Sequence, residues 1–174
     1  MNVYILQSIK DILSKPLFTK GIETMANKSN EEVKNPKLIE TMRRMRRRDD
    51  EKTRGEFAAA LMEARLLSPI IAQTVITEKD GPSTRIKFEA LRSDQGGKYY
   101  MAFTDMDEYG KWNDDATHNR ALIMTMEEFG HVLIRTPNDA KGFVINPYGE
   151  NITISKSLLL SLLQQREAQM KKRK

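Results

Sequence analysis

Apolar positions in the first half of the chain recur every three or four residues, the spacing of amphipathic helices. A first helix is predicted to begin at Asn35-Pro36, with the asparagine as N-cap and the proline in the first helical position. Its apolar stripe is Leu38, Met42 and Met45. A second helix is predicted from a capping box of Thr53 and Glu56 to a break at Pro69. Its apolar face is Phe57, Leu61 and Ala64.

The pattern then changes to three strand-like runs separated by short turns. The runs are residues 70–77, 85–91 and 98–103, and Ile86, Phe88 and Ala90 alternate within the second. Asp80-Gly81-Pro82 and Gly96-Gly97 occupy the links. Because these links are too short for a crossover helix, the runs predict antiparallel pairing.

Helical and strand-like segments alternate in the last third of the chain. Thr104 is the predicted cap of a short helix, and a brief strand follows at residues 121–124. A capping box of Thr125 and Glu128 predicts the next helix. A hairpin is predicted from residues 143–146 and 152–154, after which Ser155 caps a long terminal helix.

These elements predict one α/β domain of the α+β type, over residues 35–174. Its mixed, mostly antiparallel sheet is expected to contain about five or six strands flanked by helices. Residues 1–34 form an N-terminal extension with a short helical pattern that Pro16 would end. A second interpretation is that Met25 is the biological start, because Lys20-Gly21 can be encoded by a ribosome-binding-like stretch upstream of it.

Composition narrows the functional classes. The chain contains no cysteine, which excludes disulfides, zinc thiolates and cysteine nucleophiles, and fits a reducing cytoplasm. Polar residues interrupt every apolar run that could cross a membrane. The net charge of +5 is local, because nine basic residues lie in two clusters and the other 20, against 24 acidic residues, leave −4. The clusters are Arg43, Arg44, Arg46, Arg47 and Arg48, and the tail Lys171, Lys172, Arg173 and Lys174.

No catalytic or metal site emerges from the sequence, so no catalytic residue, metal or cofactor is predicted. Residues 105–110 resemble the opening of a calcium loop, but Tyr109 and Ala116 stand where oxygen ligands are needed. Asp114, Asp115 and His118 have no distant partner ligand, and a solvated loop explains them better. A contact between His131 and Glu127, one turn apart, is expected without any catalytic purpose.

Three stretches together resemble the N-terminal domain of the SseB family, the bacterial "enhanced serine sensitivity" family. They are Leu61-Met-Glu-Ala-Arg-Leu-Leu-Ser-Pro69, Tyr99-Tyr-Met-Ala-Phe-Thr-Asp105 leading to Trp112, and Gly142-Phe-Val-Ile-Asn-Pro-Tyr-Gly149. The resemblance covers roughly residues 35–169 and implies a mixed α/β fold. It implies no catalytic residues, because the family name records a phenotype. Some members continue into a second domain, which this chain is expected to lack.

Two groups of residues are candidates for binding. In Asn146-Pro147-Tyr148-Gly149 the residue types favour a β-turn, and an exposed Tyr148, beside Trp112, would offer a recognition surface for a protein or small ligand. The arginines from Arg43 to Arg48 suit an acidic partner or nucleic acid, although acidic residues follow them directly and no aromatics interleave. The sequence therefore predicts a non-enzymatic binding module. The alternative is a nucleic-acid or ribosome-associated accessory protein that uses the arginine cluster.

Overall fold

A computed structural model of the protein describes residues 33–77, 81–94, 96–112, 120–135 and 138–172. In chain order its elements are α1 (Pro36–Arg47), α2 (Glu51–Glu63), β1 (Leu66–Thr77), β2 (Gly81–Phe88), β3 (Ala90–Arg92), β4 (Lys98–Ala102), α3 (Met106–Gly110), β5 (Ala121–Met124), α4 (Met126–Gly130), a π-helical turn (His131–Arg135), β6 (Ala140–Ile145), β7 (Ile152–Ser155) and α5 (Lys156–Lys172). Three predictions concern residues outside the described ranges: the early helix that Pro16 would end, the start at Met25, and the loop with Asp114, Asp115 and His118.

The strands of these ranges form two sheets, which are joined where β1 passes beside the end of β4 and where Glu89 links β2 to β3. The first has the order β2-β1-β5 and is antiparallel throughout. The second has the order β3-β4-β6-β7, in which only β4 and β6 run parallel. Leu67 and Phe103 join the sheets through two backbone hydrogen bonds of 2.9 and 2.8 Å. The predicted single α+β domain with mostly antiparallel pairing is confirmed, and its strands are divided into sheets of three and four.

The second helix ends earlier than predicted because β1 begins at Leu66, four residues before the predicted start of that strand. Helix α2 ends at Glu63, and residues 66–69 already belong to β1, where they pair with β5. At Ile70 the strand changes partner and pairs with β2. Pro69 therefore interrupts no helix; it lies within a strand, opposite Ala121.

Strands β4 and β6 are covered on both faces. Tyr100 and Ala102 face the main core, in which helices α1, α2, α4 and α5 pack, whereas Met101 and Phe103 face a smaller apolar cluster. This alternation follows from the two-residue period of a strand. Because both faces are buried, the strand reads as a continuous apolar run in the sequence.

Two predicted helix caps are confirmed. The Ser155 hydroxyl accepts a hydrogen bond from the Leu158 amide at 3.2 Å, at the start of α5. Thr125 and Glu128 form the predicted capping box of α4. Both pairs follow the local spacing rule for caps, which needs no knowledge of the rest of the fold.

Two other predicted caps are wrong, and a third is confirmed in position only. Asp50 caps α2 and forms the capping box with Thr53, one turn before the predicted pair. Asp105, and not Thr104, caps α3 by accepting a hydrogen bond from Glu108 at 2.8 Å. Asn35 stands at the predicted N-cap position before Pro36, but its side chain does not cap α1; its side-chain amide donates to the carbonyls of Arg65 and Thr104 at 2.8 and 2.7 Å. At α2 and α3 the carboxylate of a neighbouring aspartate accepts the capping hydrogen bond. At α1 the asparagine side chain bonds to carbonyls that are distant in the sequence.

The terminal helix is attached to the domain by Arg166. Its guanidinium donates to the carbonyl of Met62, in the last turn of α2, at 2.9 Å and pairs with Glu127 in the first turn of α4. A cation at the C-terminal end of one helix and an acid at the N-terminal end of another are both favoured by the helix dipoles.

No helix in the described ranges combines the length and the hydropathy needed to span a bilayer.

Gly142 is where the β6–β7 hairpin tolerates no side chain. A Cβ at this position would lie 2.0 Å from the Ile154 carbonyl oxygen. Gly142→Ala should therefore lower the free energy of unfolding by about 3 kcal/mol, through strain in a packed core. Urea denaturation followed by circular dichroism measures this change.

Gly55→Ala is the matched control, because a Cβ there meets nothing within 4 Å and the residue lies inside α2. Alanine should stabilise that helix by about 0.5–1 kcal/mol. Equal effects of the two substitutions would contradict the close approach of β7 to Gly142.

Candidate partner-binding site

The turn between β6 and β7 has the predicted geometry. The Gly149 amide donates to the Asn146 carbonyl at 2.9 Å, which closes a four-residue turn, and the Asn151 amide donates to the same oxygen at 2.9 Å. Asn146 has a φ of 48°, in the left-handed region that asparagine tolerates better than most residues. The residue types of this turn are therefore accounted for by its backbone conformation.

Asn146 supports the turn from below. Its side chain is fully buried, and its Oδ1 accepts a hydrogen bond from the Thr104 amide at 3.0 Å. Its Nδ2 donates to Thr104 Oγ1 at 3.0 Å and to Glu150 Oε2 at 3.1 Å. The Asn146 amide donates to the Ala102 carbonyl at 2.9 Å. Because these bonds hold the side chain inside the protein, Asn146 shapes the turn and offers no exposed contact of its own.

Two shielded carboxylates flank the turn, and each has a cation. Glu150, with a side chain 14% exposed, pairs with Arg43 at 3.5 Å. Glu108 pairs with Lys111, and the hydrogen bond between them raises the pKa of the lysine. A Cβ on Gly149 would lie 2.5 Å from Glu108 Oε2, so the glycine allows α3 to approach the turn. The acids under the turn are thus neutralised locally.

The two aromatic residues predicted for this site, Tyr148 and Trp112, differ in their exposure to solvent. Tyr148 is 51% exposed at the tip of the turn. Trp112 is partly buried, with its ring centroid 6.3 Å from that of Phe103 and 5.8 Å from that of Tyr109. About half of the surface of Tyr148 is therefore open to solvent, whereas Trp112 packs against the smaller apolar cluster.

The arginine cluster is divided by its ion pairs. Arg44 pairs with Glu56 at 3.0 Å and Arg48 with Asp50 at 2.6 Å, both at the corner between α1 and α2. The other three arginines are spaced three and four residues apart and so share one side of α1. These are Arg43, Arg46 and Arg47.

The ion pair of Arg43 with Glu150 brings that side of α1 to the turn. Arg46 and Arg47 are exposed and form no ion pair with another described residue. We call Arg43, Arg46, Arg47 and Tyr148 the turn–helix surface. The sequence predicted its two parts separately. Their junction joins residues far apart in the chain and has no local sequence pattern.

The described ranges hold no group of three or more histidines, cysteines or carboxylates that could bind a metal ion. Burial raises the pKa of Tyr109 to about 12, so its phenol stays protonated at neutral pH. The Glu127 carboxylate, considered as a partner of His131, pairs with Arg166.

The fold defines a small α+β domain whose sheets are mostly antiparallel. Residues 38–159 match the family model described as the SseB protein N-terminal domain. The match covers most of the chain, and the chain therefore belongs to the SseB family. The resemblance predicted from the three stretches is confirmed. No curated protein and no solved structure matches the chain.

The support that Asn146 gives to the turn can be separated from the exposure of Tyr148. Asn146→Ala removes the acceptor of the buried Thr104 amide and places alanine at a positive φ. It should lower the free energy of unfolding by about 2–3 kcal/mol. Tyr148→Ala removes an exposed ring and should change that free energy by less than about 0.5 kcal/mol.

Urea denaturation of the two variants beside the unchanged protein provides the comparison. If Tyr148→Ala were the more destabilising substitution, the assignment of Asn146 as the support and Tyr148 as the exposed contact would be wrong.

Proposed function

We propose that this SseB-family chain is a non-enzymatic cytoplasmic module that binds an acidic segment of a protein partner through the turn–helix surface. The absence of cysteine supports the cytoplasmic location. The sequence shows no catalytic motif, which favours a binding role over a catalytic one.

The observation that carries the proposal is the ion pair between Arg43 and Glu150. It supports a surface that combines the exposed Tyr148, two residues before Glu150, with a helix side that bears two exposed arginines without acidic partners among the described residues. Tyrosine and arginine are the residues most enriched at the centres of protein interfaces. Tyrosine supplies contact area at a low entropic cost, and arginine binds carboxylates with two parallel hydrogen bonds.

The rigidity of the turn favours the same surface. Asn146 is fixed to Ala102 and Thr104 by hydrogen bonds, and its carbonyl accepts from the Gly149 and Asn151 amides on the other side of Tyr148. A side chain carried by a fixed backbone loses less conformational entropy when it binds. Asn146 therefore acts in this proposal as a positioning residue, and Trp112 as a member of the smaller apolar cluster.

Binding to nucleic acid through the arginine cluster is the alternative, and the ion pairs favour a protein partner over it. Three of the five arginines already pair with carboxylates. Each such pair reduces the number of phosphates that the helix can neutralise, and with it the gain from counterion release. Tyr148 is a single exposed ring, whereas single-strand binding surfaces stack several bases.

The test is an affinity capture of the tagged full chain from its own cells, with and without nuclease. Arg46→Gln together with Arg47→Gln should reduce the captured partner by about tenfold or more, and Tyr148→Ala should have a similar effect. The control is Arg44→Gln together with Arg48→Gln, which removes the same charge from the same region of the chain and should leave capture unchanged.

Thermal denaturation of each variant checks that it is folded. Equal capture by the two double variants would refute the surface. Loss of all captured material on nuclease treatment would replace the protein partner with nucleic acid. The purified partner should bind more weakly as salt rises, because salt screens the attraction between the exposed arginines and an acidic segment.

A further inference from the structure

A groove of about 650 Å³ lies at the end of the second sheet opposite the turn–helix surface. Strand β6 begins at the groove and ends at the Asn146 turn, and β7 runs back from the turn to the groove. The walls come from three places: the turn between β3 and β4, the residues that lead into β6, and the junction of β7 with α5. The volume is within the range of sites for small molecules, about 300–1,000 Å³.

The charges that line the groove leave it positive. Lys141 and Lys156 line it and form no ion pair with another described residue. Asp139 is the acidic residue of the lining, and Lys98 pairs with it at 2.8 Å. That hydrogen bond keeps the pKa of Asp139 below its usual value, and the Lys98 ammonium group offsets the charge of the carboxylate. The two lysines therefore set the charge that a ligand would meet.

The uncharged lining supplies hydrogen-bond donors. Ser93 accepts a hydrogen bond from the Gly97 amide at 3.0 Å, which leaves its own hydroxyl hydrogen available. Ser155 and Ser157 share one hydrogen bond of 2.9 Å between their hydroxyls, so one of the two hydrogens stays available. The ring of Tyr99 adds an apolar wall. Ammonium groups with several hydroxyl donors suit a phosphate, and an aromatic wall suits the carbon skeleton that carries it.

We propose that this groove binds a small phosphorylated molecule, with Lys141 and Lys156 on the phosphate and the serine hydroxyls and Tyr99 on the remainder. The site shares no residue with the turn–helix surface. It stands or fails independently of the function proposed for that surface. A ligand here would link β6 and α5 and would stabilise the folded chain by mass action.

The experiment is a titration of the full chain with ribose 5-phosphate, followed by the chemical shifts of backbone amides. Ribose is the uncharged counterpart. Saturable shifts are expected at residues 96–97 and 155–158 with the phosphate ester and not with ribose. Lys141→Gln together with Lys156→Gln should weaken binding by about tenfold or more, since it removes both charges.

Lys171→Gln together with Lys172→Gln is the control, because it removes the same charge from the other end of α5 and should leave the dissociation constant unchanged. The dispersed amide spectrum of each variant shows that it is folded. The proposal is overturned by an absence of saturable shifts, by equal shifts with ribose, or by equal weakening in the two double variants.

Discussion

The described structure depends on a buried hydrogen-bond cluster around Thr104, where the parallel strands β4 and β6 end. The Thr104 amide donates to Asn146, its hydroxyl interacts with Asn146 and Asp105, and its carbonyl accepts from Asn35. Thr104 and Asn146 are both fully buried. Buried polar groups without partners are costly, so each of these residues requires the others to be in place.

This cluster also decides where the candidate binding surface forms. Asn35 fixes the start of α1 to Thr104, and Asn146 fixes the turn to the same residue. The helix and the turn are therefore held relative to one another, and Arg43 meets Glu150. The ion pair itself is mostly exposed on the arginine side and adds little stability. Its importance lies in joining the basic side of α1 to Glu150, two residues after Tyr148, on which the proposed surface rests.

The sequence predicted those features that depend on neighbouring residues. The caps at Thr125 and Ser155 and the turn after Asn146 follow from local spacing. It did not predict that Asn35 bonds across 69 residues to Thr104, or that Pro69 lies in a strand, because those outcomes depend on distant partners. The same holds for the candidate site. Tyr148 and the arginines could be predicted as binding residues from their residue types. The ion pair between Arg43 and Glu150, which relates the two parts, could be seen only in the folded structure.

Amide hydrogen exchange at Thr104 tests the central claim most directly. If the buried cluster holds β4, β6, α1 and the turn together, the Thr104 amide should exchange as slowly as that of Phe103, which is bonded to Leu67 in the centre of the sheets. Exchange of Thr104 at the rate of an exposed loop amide, while Phe103 stays protected, would show that the cluster opens without the core and would contradict the account.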